Sequence, residues 1–217
     1  MSDVRVTFFG DSIVAGVGDP QGAGWVGRVV AGAFSAGVPL TAYNLGVRRE
    51  TSADVLARWE AEIAPRLIDA ADCRLVFCFG ANDATWENGG PRVEPAQSLE
   101  NLARVLATAR QRALPVLVVG PPPVGDPAQR DRIGTLSAGF REIAARHGAP
   151  YVELAGPLRR SPVWKRELEA GDGAHPGGDG YALVADLVME AWLTWLSASV
   201  AAAASESTGR PGAPTSG

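Results

Sequence analysis

The chain enters its first apolar segment with Val4-Arg5-Val6-Thr7-Phe8-Phe9 and leaves it on Gly10-Asp11-Ser12. The first six residues are mostly β-branched or aromatic, which is typical of a buried strand. Glycine, aspartate and serine are typical of a turn, because they tolerate unusual dihedral angles or hydrogen-bond to the backbone. The stretch therefore predicts a strand over 4–9 that ends abruptly in a polar loop.

Four more segments have the same apolar, β-branched character, namely 40–45, 74–79, 115–119 and 151–154. Helical spacing lies between them, as in Leu99, Leu102, Leu106 and Ala109, or in Ile133, Leu136, Phe140 and Ile143. Strands that alternate with helices predict an α/β protein, a three-layer α/β/α sandwich around a five-stranded parallel sheet. In such sheets the loops at the carboxyl ends of the strands line the binding crevice, and Gly10-Asp11-Ser12 is one of these loops.

Two helices are predicted in more detail. Thr51 or Ser52 is placed to cap a helix that carries Val55, Leu56, Trp59 and Ile63. The last helix should present one face made of Val184, Leu187, Val188, Ala191 and Trp195.

The length of 217 residues suits one domain, which we expect to span 1–196. The remainder, 197–217, consists largely of alanine, serine, glycine and proline and is predicted to be a flexible low-complexity tail.

The composition argues against several classes of partner. Twenty basic residues against 24 acidic ones give a net charge of -4, so nucleic acid is not an expected partner. Cys73 and Cys78 lie five positions apart on a predicted strand, point to opposite faces and cannot form a disulfide with each other. The start of the sequence lacks the pattern of a signal peptide, and the apolar segment 181–196 is too short for a membrane span. We expect a cytoplasmic protein, and the sequence leaves the oligomeric state open.

The chain has two histidines, so a mechanism that uses histidine must use one of them. His147 lies in the last turn of a predicted helix, where a structural role is expected. His175 lies in a loop rich in glycine and proline, three residues after Asp172. A carboxylate held against one ring nitrogen would leave the other free to act as a base. The alternative is a simple turn stabilised by Asp172, with the imidazole incidental.

Three more candidates lie at predicted strand ends. Ser12 could be a nucleophile with an N–H that points into the crevice, or it could be a helix cap. The N–H of Gly46 and the side-chain amide of Asn82 could stabilise an oxyanion, or both could be ordinary turn residues.

Taken together, these blocks resemble the GDSL hydrolases in their SGNH form, which comprise lipases, esterases and acylhydrolases. The matching residues are Gly10-Asp11-Ser12, Gly46, Gly80-Ala81-Asn82-Asp83 and Asp172-Gly173-Ala174-His175-Pro176. Ile13 follows Ser12 where the family name implies leucine, which preserves the apolar character.

The resemblance implies a flavodoxin-like fold and hydrolysis of a small-molecule ester without a metal or other cofactor. It assigns the catalytic roles to Ser12, Asp172 and His175, and the oxyanion hole to Ser12, Gly46 and Asn82. We expect an acyl-enzyme mechanism on a carboxylic ester. Two alternatives are a catalytically silent ligand-binding module and an acyltransferase with the same triad.

Overall fold

A computed structural model of the protein describes residues 3–69 and 71–207. Its main sheet contains five parallel strands, β1 (Val4–Gly10), β2 (Thr41–Gly46), β3 (Asp72–Cys78), β6 (Val116–Val119) and β7 (Tyr151–Val152). A short antiparallel hairpin, β4 (Trp86–Glu87) and β5 (Gly90–Pro91), lies outside this sheet. The strand order β2-β1-β3-β6-β7 is the flavodoxin-like order, so the five predicted strands and the predicted fold class are confirmed.

Helices follow the strands and cover both faces of the sheet. They are α1 (Ser12–Ala15), α2 (Gly24–Ser35), α3 (Ser52–Ile63), α4 (Pro95–Gln111), α5 (Pro127–Arg146), α6 (Ala155–Arg160), α7 (Pro162–Ala170) and α8 (Gly178–Ser207). Thr51 caps α3, because its backbone N–H donates to the Asp54 carboxylate while its hydroxyl accepts from the Asp54 N–H.

Two hydrophobic cores separate the three layers. Along β1, Val4, Val6 and Phe8 face α2 and α8 on one side of the sheet. Phe9 faces the opposite side, where α3, α4 and α5 pack. Successive side chains of a strand point to opposite faces, so the almost continuous apolar run of β1 serves both cores.

The structure corrects the predicted face of the last helix. Leu187 is 36% exposed, whereas Trp192 is fully buried and packs against Phe8 at a tilt, with ring centroids 5.5 Å apart. Steps of four residues from Val184 through Val188 to Trp192 set the contact face, and Leu187 lies beside it.

The same helix also runs past the predicted boundary at 196, since α8 continues to Ser207. Alanine has the strongest helix propensity, and four alanines at 201–204 allow the helix to extend beyond its packed part. The rest of the predicted tail, 208–217, lies outside the described residues.

Both cysteines are free thiols, as their spacing predicts. Among the helices of the described chain, none combines the length and the apolar character that crossing a bilayer requires.

Candidate active site

The turn after β1 presents Ser12 at the carboxyl edge of the sheet. Asp11 caps α1 by accepting a hydrogen bond from the Ile13 N–H at 2.9 Å, so the Ser12 hydroxyl is not needed as a cap. Gly10 permits the turn, because a Cβ there would lie 1.9 Å from the Cys78 carbonyl oxygen on β3. Ser12 is 7% exposed and lies between the ends of β1 and β3, where the strand order reverses.

His175 reaches Ser12 from the loop between α7 and α8. Its Nε2 lies 2.7 Å from Ser12 Oγ, and its Nδ1 lies 2.7 Å from Asp172 Oδ2. The fold thus brings together three side chains that are separated by up to 163 positions in the chain. The arrangement of hydroxyl, imidazole and carboxylate is that of a nucleophile, a base and the group that orients the base.

A tight turn gives Asp172 its position. One carboxylate oxygen accepts hydrogen bonds from the backbone N–H groups of Ala174 and His175, each at 2.9 Å. The other oxygen therefore points at the imidazole, so the turn is what orients the ring. The desolvation of Asp172 would raise its pKa, but the hydrogen bonds from the His175 side chain and from the two N–H groups lower that pKa to about 2. The carboxylate is thus charged at neutral pH.

Asn82 also lies at this edge, in the loop after β3. Its Nδ2 donates to the Glu50 carbonyl oxygen at 2.9 Å and lies 3.3 Å from Asp11 Oδ2. An amide nitrogen carries two hydrogens, so one Nδ2 can donate to both oxygens.

Gly46 occupies a different place from the predicted one. Its N–H donates to Asn44 Oδ1 at 3.0 Å, and Gly46 does not line the cavity that contains Ser12. A Cβ at this position would lie 2.3 Å from the Ala15 backbone nitrogen. The glycine therefore lets β2 approach α1 closely, and the structure does not bring its N–H to the other site residues.

Sequence reasoning missed the backbone of the next turn. Among the described residues, the N–H groups of Arg48 and Arg49 have no hydrogen-bond partner, while those of Val47 and Glu50 do. Both arginines line the cavity. Arg49 has φ of 68°, a left-handed conformation that favours glycine, so its side chain gave no signal of this geometry.

Two side chains from the segment after β3 contact Arg49 in that conformation. Arg92 Nη1 donates to the Arg49 carbonyl oxygen at 2.8 Å, and Glu87 on β4 lies 3.2 Å from the Arg49 guanidinium. The hairpin formed by β4 and β5 and the turn after β2 thus form one connected rim.

The cavity bounded by this rim has a volume of about 400 Å³. It brings Ser12, Asn82 and His175 together, with Pro122 and Val124 among its apolar walls. Asp172 lines it as well. A volume of this order suits a small organic ligand.

Two aspartates next to the site are buried. Burial raises the pKa of Asp11 to about 7, and the nearby Asp83 and Glu50 carboxylates add to this effect while the hydrogen bond from Ile13 opposes it. Burial also raises the pKa of Asp83, whose Oδ1 accepts from the Ser52 N–H at 2.7 Å. Their hydrogen bonds join the loops that carry Ser12, Asn82 and Ser52, which is a structural role.

Comparison with known proteins identifies the family of this chain. The model of the GDSL-like lipase/acylhydrolase family matches residues 8–183. The chain belongs to this GDSL-like family. The matched segment contains every residue of the cavity described above.

Solved structures of similar fold are esterases and acylhydrolases. The lipase/acylhydrolase of Enterococcus faecalis is 28% identical, with a TM-score of 0.71 over 88% of this chain and 94% of that one. The esterase EstA of Pseudoalteromonas sp. is 19% identical, with a TM-score of 0.68 over 89% of this chain and 98% of that one. The acetylxylan esterase Axe2 of Geobacillus stearothermophilus is also 19% identical, with a TM-score of 0.69 over 88% of this chain and 94% of that one. A search among curated proteins found no match. As a GDSL-like protein, this chain is a hydrolase that acts on esters.

Proposed function

We propose that this GDSL-like hydrolase cleaves carboxylic esters through an acyl-enzyme on Ser12. The observation that carries the proposal is the continuous pair of 2.7 Å contacts from Ser12 Oγ through His175 to Asp172. The cavity supports a small-molecule substrate, and its volume of about 400 Å³ limits the size of the group that can be enclosed.

His175 acts as the base in the first step. Its Nε2 takes the Ser12 proton as Oγ attacks the ester carbonyl carbon, and the charged Asp172 stabilises the imidazolium that forms. The tetrahedral intermediate then collapses, the bond to the alcohol breaks, and Nε2 returns the proton to the leaving oxygen. Water repeats these steps on the acyl-enzyme, releases the carboxylic acid and restores the Ser12 hydroxyl.

The oxyanion needs hydrogen-bond donors near Ser12. The Ser12 N–H has no partner within the described chain, and Asn82 Nδ2 lies in the same cavity. Because the Gly46 N–H is bound to Asn44, we place the third donor at Arg49 rather than at Gly46. This third donor is a backbone group, so its direction depends on the left-handed turn.

The test is hydrolysis of p-nitrophenyl acetate by the wild type and by Ser12→Ala. Ser12→Ala should lose nearly all turnover, while Asn82→Ala, which keeps the nucleophile, should lose roughly 10²-fold. Ser35→Ala, an exposed serine on α2, is the matched control and should behave as the wild type. Equal turnover of Ser12→Ala and the wild type would end the proposal.

Labelling with a fluorophosphonate separates an enzyme from a silent ligand-binding module. We expect an adduct on Ser12 in the folded protein, because the probe reports an activated serine nucleophile. Hydrolysis in the presence of a small alcohol measures any transfer to that acceptor, and the free acid should be the main product.

A further inference from the structure

A second cavity of about 420 Å³ lies between α5 and α6, and its lining contains four arginines. Arg130 and Arg141 come from α5, while Arg159 and Arg160 come from α6. Small residues make up most of the remaining wall, and these are Gly134, Ala138, Ala155, Gly156 and Pro157. We refer to this site as the arginine cavity. It shares no lining residue with the cavity that contains Ser12.

The charge in this cavity is not neutralised by the protein. Glu153 is the one carboxylate among its lining residues, and that carboxylate already accepts a hydrogen bond of 3.0 Å from the Ser137 hydroxyl. Arg159 pairs with Asp131 at 2.8 Å. In the described chain the other three arginines make no ion pair. A local excess of positive charge in a protein of net charge -4 favours an anionic ligand.

Arg130 supplies a second and independent observation. Its Nε is buried and has no hydrogen-bond acceptor in the described structure. Buried polar groups of proteins are nearly always hydrogen-bonded. A buried group without a partner has lost its hydrogen bonds to water and gained none in return, which costs free energy. The protein thus leaves the guanidinium of Arg130, which lines this cavity, without a full set of acceptors.

We propose that the arginine cavity binds the phosphate group of a small ligand. Planar guanidinium groups donate in parallel pairs to phosphate oxygens, and the surplus of arginines suits a group that carries more than one negative charge. The lining has no aromatic side chain on which a nucleobase could stack, so the phosphate itself is the recognised group.

Calorimetric titration of the full chain with sodium pyrophosphate at low ionic strength tests the proposal. Arg141→Gln combined with Arg160→Gln should weaken binding at least tenfold, since each lost charged contact is worth about that factor. Both arginines are exposed, so the double variant should keep the wild-type melting temperature. Arg104→Gln, an exposed arginine on α4 outside the cavity, should bind as the wild type does.

The proposal would be overturned if the wild type did not bind pyrophosphate, or if the double variant bound it as tightly as the wild type. The Ser12→Ala variant should bind pyrophosphate with unchanged affinity, which makes the result independent of hydrolysis. Sedimentation with vesicles of phosphatidylcholine, with and without phosphatidic acid, identifies the source of the phosphate. Arginine-dependent sedimentation with phosphatidic acid would indicate a lipid headgroup, and its absence alongside pyrophosphate binding would indicate a soluble ligand.

Discussion

At the scale of single residues, the turn that presents Ser12 contains a buried acid, Asp11. Asp11 ties the loop after β1 to Asn82, yet burial raises its pKa to about 7 from the ordinary value of 3.8. Between these two pH values the native state holds a proton that the unfolded chain has released. The free energy of unfolding therefore falls as the pH rises from about 4 to about 7, because ionisation of this carboxyl group stabilises the unfolded chain while the buried group stays protonated in the native state.

Asp11→Asn should remove this fall in the free energy of unfolding between about pH 4 and about pH 7. Asparagine keeps the acceptor for the Ile13 N–H but does not ionise, so its stability should depend less on pH across this window. Urea unfolding at several pH values between 4 and 8 measures the difference. Asp69→Asn, at an exposed position, is the control, and a slope for Asp11→Asn equal to that of the control would contradict the assignment.

The backbone of Arg49 allows a test of the third oxyanion donor. Arg49→Gly and Arg49→Val both lose the ion pair with Glu87, but glycine accepts φ of 68° whereas valine resists it. Strain of this kind costs roughly 1–3 kcal/mol, so kcat of Arg49→Val should fall about tenfold or more below that of Arg49→Gly. Equal kcat values for the two variants, at similar melting temperatures, would remove Arg49 from the oxyanion hole.

At the scale of elements, the sequence predicts the strands and the places where they end. Apolar, β-branched runs mark all five sheet strands, and Ser12, Asn82 and His175 all line one cavity at the carboxyl edge. The difference between the predicted and the observed surroundings of Gly46 has a physical cause. A glycine can be required by close packing as well as by an exposed N–H, and the sequence does not distinguish these two demands.

The sequence does not indicate the conformation of the Arg49 turn, for a related reason. Its left-handed conformation is stabilised from outside the turn, by Arg92 and Glu87 of a hairpin that lies 38 or more positions along the chain. Local propensity speaks against an arginine in this conformation, and tertiary contacts override it. Only a structure shows such a contact.

Arg92 is therefore predicted to be a positioning residue for this rim. Arg92→Ala frees the Arg49 carbonyl, so kcat should fall roughly tenfold, less than for loss of a whole oxyanion donor, while KM changes little. Arg92→Lys keeps a donor and a charge and should recover part of the loss. Arg112→Ala removes a surface ion pair with Glu60 far from the rim and is the matched control. A fall in melting temperature without a fall in kcat would show that Arg92 acts on stability alone.

At the scale of the whole molecule, α8 closes one core and is also hydrogen-bonded to β3, the central strand of the sheet. Arg74 on β3 is fully buried, pairs with Asp72 at 2.6 Å and donates to the carbonyl oxygens of Trp195 and Leu196, each at 2.9 Å. A buried guanidinium is costly unless every donor has a partner. The end of the packed part of α8 is thus bound to the strand that leads to Asn82.

These contacts support our proposal that the domain ends near 196, even though α8 continues to Ser207. A chain that ends after Ala198 keeps the buried side chains described for α8, so its melting temperature and its turnover of p-nitrophenyl acetate should match those of the full chain.

A chain that ends after Glu190 loses Trp192, Trp195 and Leu196, and leaves Arg74 without its carbonyl partners. Each buried tryptophan contributes about 3–5 kcal/mol against a total of about 5–15 kcal/mol, so this shorter chain should not melt cooperatively. Thermal unfolding followed by circular dichroism compares the three chains. A cooperative transition of the shorter chain near the wild-type temperature would show that the domain ends before α8 is complete.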